Sequence, residues 1–313
     1  MDLIYGIKDK PKFGKVVLFA LQQLLAIMAA TIAVPAIVGH NLSASAALFG
    51  AGIGSIVYLL FTKSSSPVFL GSSFAFLPSM FSAFAGAATL GLTEQAGYWG
   101  LIIGALMAGL VYVIIAIVVK FCGVNWISKL MPPVIIGPTV AIIGLSLSGN
   151  AVGDLMKTNI QGGSPYVCII CGLVTLAVTM LCSTYGKKMG KLIPFIIGIL
   201  AGYLCASLFA LIGKAANNAA LTVIDYSALK SCRLFALPKF TFMLGGGAGL
   251  KAVTGKYLIA IFAAYVPVAF VVFAEHLADH KNLSSIVGQD LLENPGLTRT
   301  LLGDGADGYF AAR

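Results

Sequence analysis

Charge is what this 313-residue chain has least of: only 10% of it is Asp, Glu, Lys or Arg. Soluble domains carry about 25%. Together with 59% hydrophobic residues, this excludes an ordinary soluble domain and makes the chain an integral membrane protein. Carboxylates are scarcest, with 11 Asp and Glu against 20 Lys and Arg. The resulting +9 charge is no nucleic-acid signal. The basic residues are scattered through loops between apolar runs, as the positive-inside rule expects. There are three His, at 40, 276 and 280, and none has zincin spacing. Six Cys do not read as a disulfide framework, because most lie within apolar runs. Cys168 and Cys171 make a CIIC pair, but no second pair or nearby His completes a metal or redox site, so they read as small packing residues. GGGAGLKAVTGKY at 245–257 has the wrong spacing for a phosphate loop and Tyr257 where Ser or Thr is needed. GAGIG at 50–54 lies within an apolar run and reads as packing.

Long apolar runs are abundant. Leu101–Val119 has no charge and is long enough to span ~30 Å of hydrocarbon at ~1.5 Å per residue. Glycine numbers 36, which suits close helix–helix approach. Spans are expected at about 16–38, 44–62, 67–86, 97–119, 132–149, 166–183, 192–213 and 257–280. The N-terminal apolar run exceeds the ~7–15 residues of a signal core, so it reads as a retained helix. With the N-terminus cytoplasmic, Lys8, Lys10, Lys12, Lys15, Lys63, Lys120, Lys129, Lys187, Lys188, Lys191, Lys281 and Arg299 all fall inside. Lys157 alone falls outside in a short loop. Charges in the long 214–256 loop weigh less. The expected organisation is 1–213 as one set of seven segments, 214–256 as an extracytoplasmic loop, and 257–313 as an eighth helix and the chain after it.

Two places depart from plain apolar helix. The first is PVFLGSSFAFLPSM, with Pro67, Gly71, Ser72, Ser73 and Pro78 in a membrane-buried stretch. Irregular backbone at that depth survives only where protein or a water-filled cavity covers it. Such breaks mark transporter sites; the alternative is a kinked helix packed on its neighbours. The second is Glu275, which ends the uncharged run Tyr257–Ala274. A carboxylate there is costly to insert and reads as functional. Asp279 follows four residues on, sharing a helix face. His276 and His280 either orient these carboxylates or sit near the cytosolic interface. An intramembrane aspartyl enzyme is disfavoured, because its acids would stand on two facing helices. The proline pair at 132–133 suits a helix start, and Pro138 is expected to kink that helix.

Four segments carry a family resemblance. LQQLLAIMAATIAVP (21–35), PVFLGSSFAF (67–76), LMPPVIIGPTVAIIGL (130–145) and AEHLADH with SSIVGQDLLENPGLTRTLLGDG (274–305) resemble the nucleobase/ascorbate (uracil–xanthine) transporters. The last is the most specific. The resemblance implies an all-α polytopic fold of two inverted seven-segment repeats, with a short extended half-strand in segment three. It implies proton-coupled carriage of a nucleobase, uracil before xanthine, with an anion carrier of the same architecture as an alternative. No cofactor beyond the proton gradient is implied, and the partners are the base, protons and the lipid bilayer of the plasma membrane. By position, Glu275 resembles the carboxylate that bonds the pyrimidine edge. Phe74 resembles the residue whose ring packs on the base, beside Ser73, and Ala30 falls near a water-mediated contact. Glu275, Asp279 and His276 are then the proton-coupling candidates, although Asp279 stands where some members have His. The physics agrees with the substrate class. A flat neutral donor–acceptor ring needs an aromatic face, a carboxylate for its N–H groups and backbone amides for its carbonyls.

The chain departs from the family after Gly305. It has no NTTYGEN-like motif and ends GDGADGYFAAR, which does not resemble the family. A truncated product is expected, one that folds poorly and does not transport alone unless a second copy in a homodimer stands in for the missing half.

Overall fold

The computed structural model describes residues 6–7, 9–123, 126, 133–158, 160, 162–186, 194–226 and 238–311. Ten α-helices are present among them: α1 (Phe13–Val38), α2 (Ala44–Phe61), α3 (Leu77–Thr89), α4 (Glu94–Cys122), α5 (Pro133–Met156), α6 (Pro165–Tyr185), α7 (Pro194–Ala215), α8 (Thr241–Ala252), α9 (Gly255–Val287) and α10 (Leu297–Ala311). Six of these, α1, α2, α4, α6, α7 and α9, are long and apolar enough to cross a membrane. The protein is an all-α polytopic membrane protein. Lys8, Lys129, Lys187, Lys188 and Lys191, which carry part of the topology reading, lie outside the described residues.

Local chemistry sets the helix ends. The Ser43 hydroxyl accepts from the Ala46 amide at the start of α2, and Thr254 does the same for Tyr257 in α9. Pro133, Pro165 and Pro194 open α5, α6 and α7, where a missing N–H is harmless. Gly288 closes α9 in the left-handed region at φ 73°.

The chain divides into two compact units. One comprises residues 1–12, 27–143 and 237–313; the other comprises 13–26 and 144–236.

In the first unit α4 is the central helix, packing against α3, α8, α9 and α10. The core brings together Val111, Tyr112, Ile115 and Val119 of α4, Ala269, Phe273 and Leu277 of α9, and Leu297 and Leu301 of α10. Small residues on α4 allow this closeness. A Cβ on Gly104 would fall within 2.6 Å of three Tyr265 ring carbons. The α4–α10 contact is backbone to backbone: a Cβ on Gly109 would lie 2.7 Å from the Gly305 carbonyl oxygen. Polar ties add direction: the Ser79 hydroxyl donates to the Ala264 carbonyl at 2.7 Å, joining α3 to α9.

In the second unit α6 packs on α7. Gly198 and Gly202 of α7 lie against Thr179 and Thr175 of α6. Those hydroxyls bond carbonyls of their own helix, at Thr175 and Cys171 respectively, so an apolar surrounding leaves neither unpaired. Cys168 and Cys171 lie in this helix as free thiols.

Residues 67–73 are non-helical, and Phe74–Phe76 forms a single 3₁₀ turn before α3. The expected break is therefore present. The Ser55 hydroxyl holds it to α2, accepting from the Leu70 amide at 3.0 Å and donating to its carbonyl at 3.3 Å. An extended run becomes a strand only with a ladder partner, and no strand occurs among the described residues.

Two helices lie where sequence suggests loop. α8 falls within 214–256; it is glycine-rich and bent at Gly246 (φ 56°), whose carbonyl accepts from the Trp99 indole at 2.8 Å. α10 follows α9 where polar and glycine residues dilute the hydropathy. Its helix is made by packing between α2 and α4.

Candidate functional site

A half-open cavity of about 180 Å³ lies in the first unit beside the helix break. Gly71, Ser72, Ser73 and Phe76 come from the break, and Tyr265 and Val272 from α9. α4 supplies Ala105, Ala108 and Tyr112, while α10 supplies Asp304 and Gly305. Cavities of ~150 Å³ hold a benzene ring, so this one admits a single flat six-membered ring. Gly71 lets the break pass close to α1, since a Cβ there would stand 3.0 Å from Ile27 and 3.2 Å from Thr31.

The polar walls are unevenly satisfied. The hydroxyls of Tyr112 and Tyr265 are buried and have no hydrogen-bond partner among the described residues. Both rings are held firmly. Tyr265 stacks on Phe76 with centroids 5.8 Å apart. Tyr112 makes edge contacts with Phe273 at 6.4 Å and His276 at 6.0 Å.

A histidine network stands behind Asp304, which lines the cavity. Buried His276 donates from Nδ1 to Asp304 Oδ2 at 2.9 Å, and its Nε2 meets the Thr300 hydroxyl at 3.2 Å. His280 stacks beneath it with ring centroids 4.1 Å apart. Its Nδ1–H donates to the His276 carbonyl at 2.9 Å, which leaves Nε2 to accept from the Tyr58 hydroxyl at 2.8 Å. Tyr58 also meets Ser66 at 3.0 Å. Of the two open readings for these histidines, the orienting one describes His276, but the carboxylate it orients is Asp304.

The residues singled out in the sequence are distributed as follows. Ser73 lines the cavity. Phe74 is half-buried at the start of the 3₁₀ turn, and Phe76, two residues on, is the aromatic that lines the cavity. Ala30 is half-buried on α1 and outside the lining. Glu275 is half-buried one turn beyond Val272, also outside the lining, and within electrostatic reach of Asp304, Asp279 and Tyr112. Asp279 is exposed. Asp304, Tyr112 and Tyr265 escaped the sequence reading. The usable signal was Leu297 and Leu301, four residues apart after Pro295, which predicts a helix start and places Asp304 on it.

The profile of the Permease family matches residues 14–312, so the likeness continues past Gly305, where the sequence by itself suggested that it stops. The chain belongs to this family. Uracil permease of Bacillus caldolyticus is 37% identical over 309 residues, covering 99% of this chain and 65% of the relative. Uracil permease of Bacillus subtilis (strain 168) is 35% identical over 303 residues, covering 96% and 63%. That of Escherichia coli (strain K12) is 31% identical over 312 residues, covering 98% and 64%. The chain thus spans just under two thirds of the length of these curated relatives. Within the family's shared stretch lie the helix break, the acids of α9 and Asp304.

Proposed function

We propose that this chain serves the passage of a nucleobase, uracil before xanthine, across the plasma membrane, coupled to proton entry. The observation that carries this reading is the likeness to uracil permeases along nearly the whole chain. The cavity supports it physically, being the size of one flat ring and having serine, phenol and carboxylate groups in its walls. In this reading Glu275 and Phe74 contact the base, with Ser73 and Ala30 beside them. Glu275, Asp279 and His276 carry the proton. A carboxylate that water leaves when the base arrives is suited to exchanging a proton with it. The N-terminus is cytoplasmic and residues 1–213 form one repeat.

The test is uracil binding and uptake by the 313-residue chain in a strain lacking its own uracil permease. Saturable binding and uptake abolished by a protonophore support the reading in full and overturn the expectation that the chain does not transport alone. Binding without uptake assigns the chain recognition alone. Xanthine competing better than uracil replaces the substrate, and no binding of either base refutes the reading.

A further inference from the structure

We propose that Cys171 and Cys205 form a two-thiol clamp for a soft divalent metal ion, bridging α6 and α7 within the second unit. The clamp shares no residue with the cavity lining and does not depend on the nucleobase reading.

In the sequence the CIIC pair, Cys168 and Cys171, has no partner nearby. The fold supplies one from the next helix. Gly198 of α7 lies on Thr179 of α6, and Gly202 lies on Thr175, so contacts step up α7 as they step down α6. One further turn in the same sense brings Cys205 to Cys171, and the two side chains meet there. The backbones are close at this point. A Cβ on Gly202 would stand 3.3 Å from the Thr175 Cβ and 3.5 Å from the Cys171 carbonyl oxygen. Both thiols are free and half-buried, which leaves them open to a small neutral solute. Cys168 stands one turn nearer the start of α6 and on the far side of Cys171 from Thr175.

Ligand number and charge select the ion. Zinc takes four ligands in a structural site. Among the described residues no group of three or more His, Cys, Asp or Glu is placed to hold a metal. Two thiolates alone suit a soft ion that binds two ligands in a line. The charged side chain on these two helices is Lys214, more than two turns beyond Cys205. Two thiolates with a monovalent ion would leave an uncompensated negative charge in apolar surroundings, whereas a divalent ion makes the complex neutral. The mercuric ion meets both demands. With mercuric chloride, two S–H and two Hg–Cl bonds break and two Hg–S bonds form. Two protons leave with two chlorides, and no electron is transferred. At ~2.3 Å per metal–sulfur bond, as for zinc, the sulfurs stand roughly 4.6 Å apart. Side chains already in contact reach that spacing with little movement.

The test uses the 313-residue chain, purified in detergent, reduced and freed of reductant. It is treated with one equivalent of mercuric chloride, then with N-ethylmaleimide, and the labelled cysteines are mapped by mass spectrometry. Cys171 and Cys205 are expected to be protected together, while Cys168 and the other cysteines are labelled. A bridged ion should need about 100-fold more 2-mercaptoethanol for its removal than an ion on one thiol, because the second sulfur is already in place. Cys171→Ala should therefore release Cys205 to the label, and Cys205→Ala should release Cys171. The unsubstituted chain decides the matter even where a variant fails to fold. Protection of Cys168 with Cys171, or of one thiol of the pair without the other, overturns the proposal. So does equal protection after unfolding in hot dodecyl sulfate, where any two thiols can meet. Uracil binding is measured on the same sample, and its absence refutes the nucleobase reading without touching the clamp.

Discussion

Gly104→Ala is the sharpest single perturbation of the packing that builds the cavity. Carbon atoms sit comfortably at 3.5–4.0 Å. The added methyl would meet three carbons of the Tyr265 ring within 2.6 Å, so one side must move by roughly 1 Å. Tyr265, 2% exposed and stacked on Phe76, can yield only toward the cavity that it lines. Overpacking of this kind costs about 1–3 kcal/mol. Replacing a helical glycine by alanine returns up to about 1 kcal/mol. The net expectation is destabilisation by about 1–2 kcal/mol, with the Tyr265 ring pushed toward the cavity and uracil binding weakened. Gly52→Ala is the control. It lies inside α2 and a Cβ there meets nothing within 4 Å, so only the helix gain of about 0.5–1 kcal/mol remains. Thermal unfolding in one detergent and equilibrium uracil binding measure both variants. If Gly104→Ala melts at or above the parent and binds uracil normally, the Tyr265 ring does not press on α4 and the cavity is not built as described.

Four further outcomes follow from the same geometry. Glu275→Gln should weaken uracil binding about 10- to 150-fold if the carboxylate accepts from the base, and near-normal affinity removes it from the site. Phe76→Ala should reduce binding more than Phe74→Ala if the cavity holds the base; the reverse order moves the base to the Phe74 side. Asp304→Ala strips the acceptor from buried His276 and should lower stability by about 1–3 kcal/mol, whereas Asp304→Asn keeps an acceptor oxygen and should cost less. Equal melting points for those two variants would mean that the His276–Asp304 contact does not form. Asp279→Asn should leave uracil affinity within about twofold, because Asp279 is exposed, while uracil-driven proton uptake falls. Unchanged proton uptake would take Asp279 out of the coupling path.

Much of this protein was legible in its sequence. Uncharged runs long enough for the bilayer can only be helices there, since no water satisfies backbone groups, so the spans were predictable to within a few residues at most ends. The break at 67–73 was legible because Pro67, Gly71 and two serines cannot continue a helix cheaply. Glu275 stood out because one carboxylate after a long apolar run is costly. What the sequence could not determine is which of these groups meet. α10 is polar and glycine-rich, and only contact with α2 and α4 makes it a helix, with Gly305 laid against Gly109. That docking carries Asp304 to His276 across 28 residues of chain. Tyr112 and Tyr265 look like ordinary apolar-helix tyrosines until the fold places both hydroxyls beside one cavity without a partner. Periodicity and composition report burial and span, properties of one segment at a time. A site is a relation between segments, and side-chain packing across α4, α9 and α10 decides it.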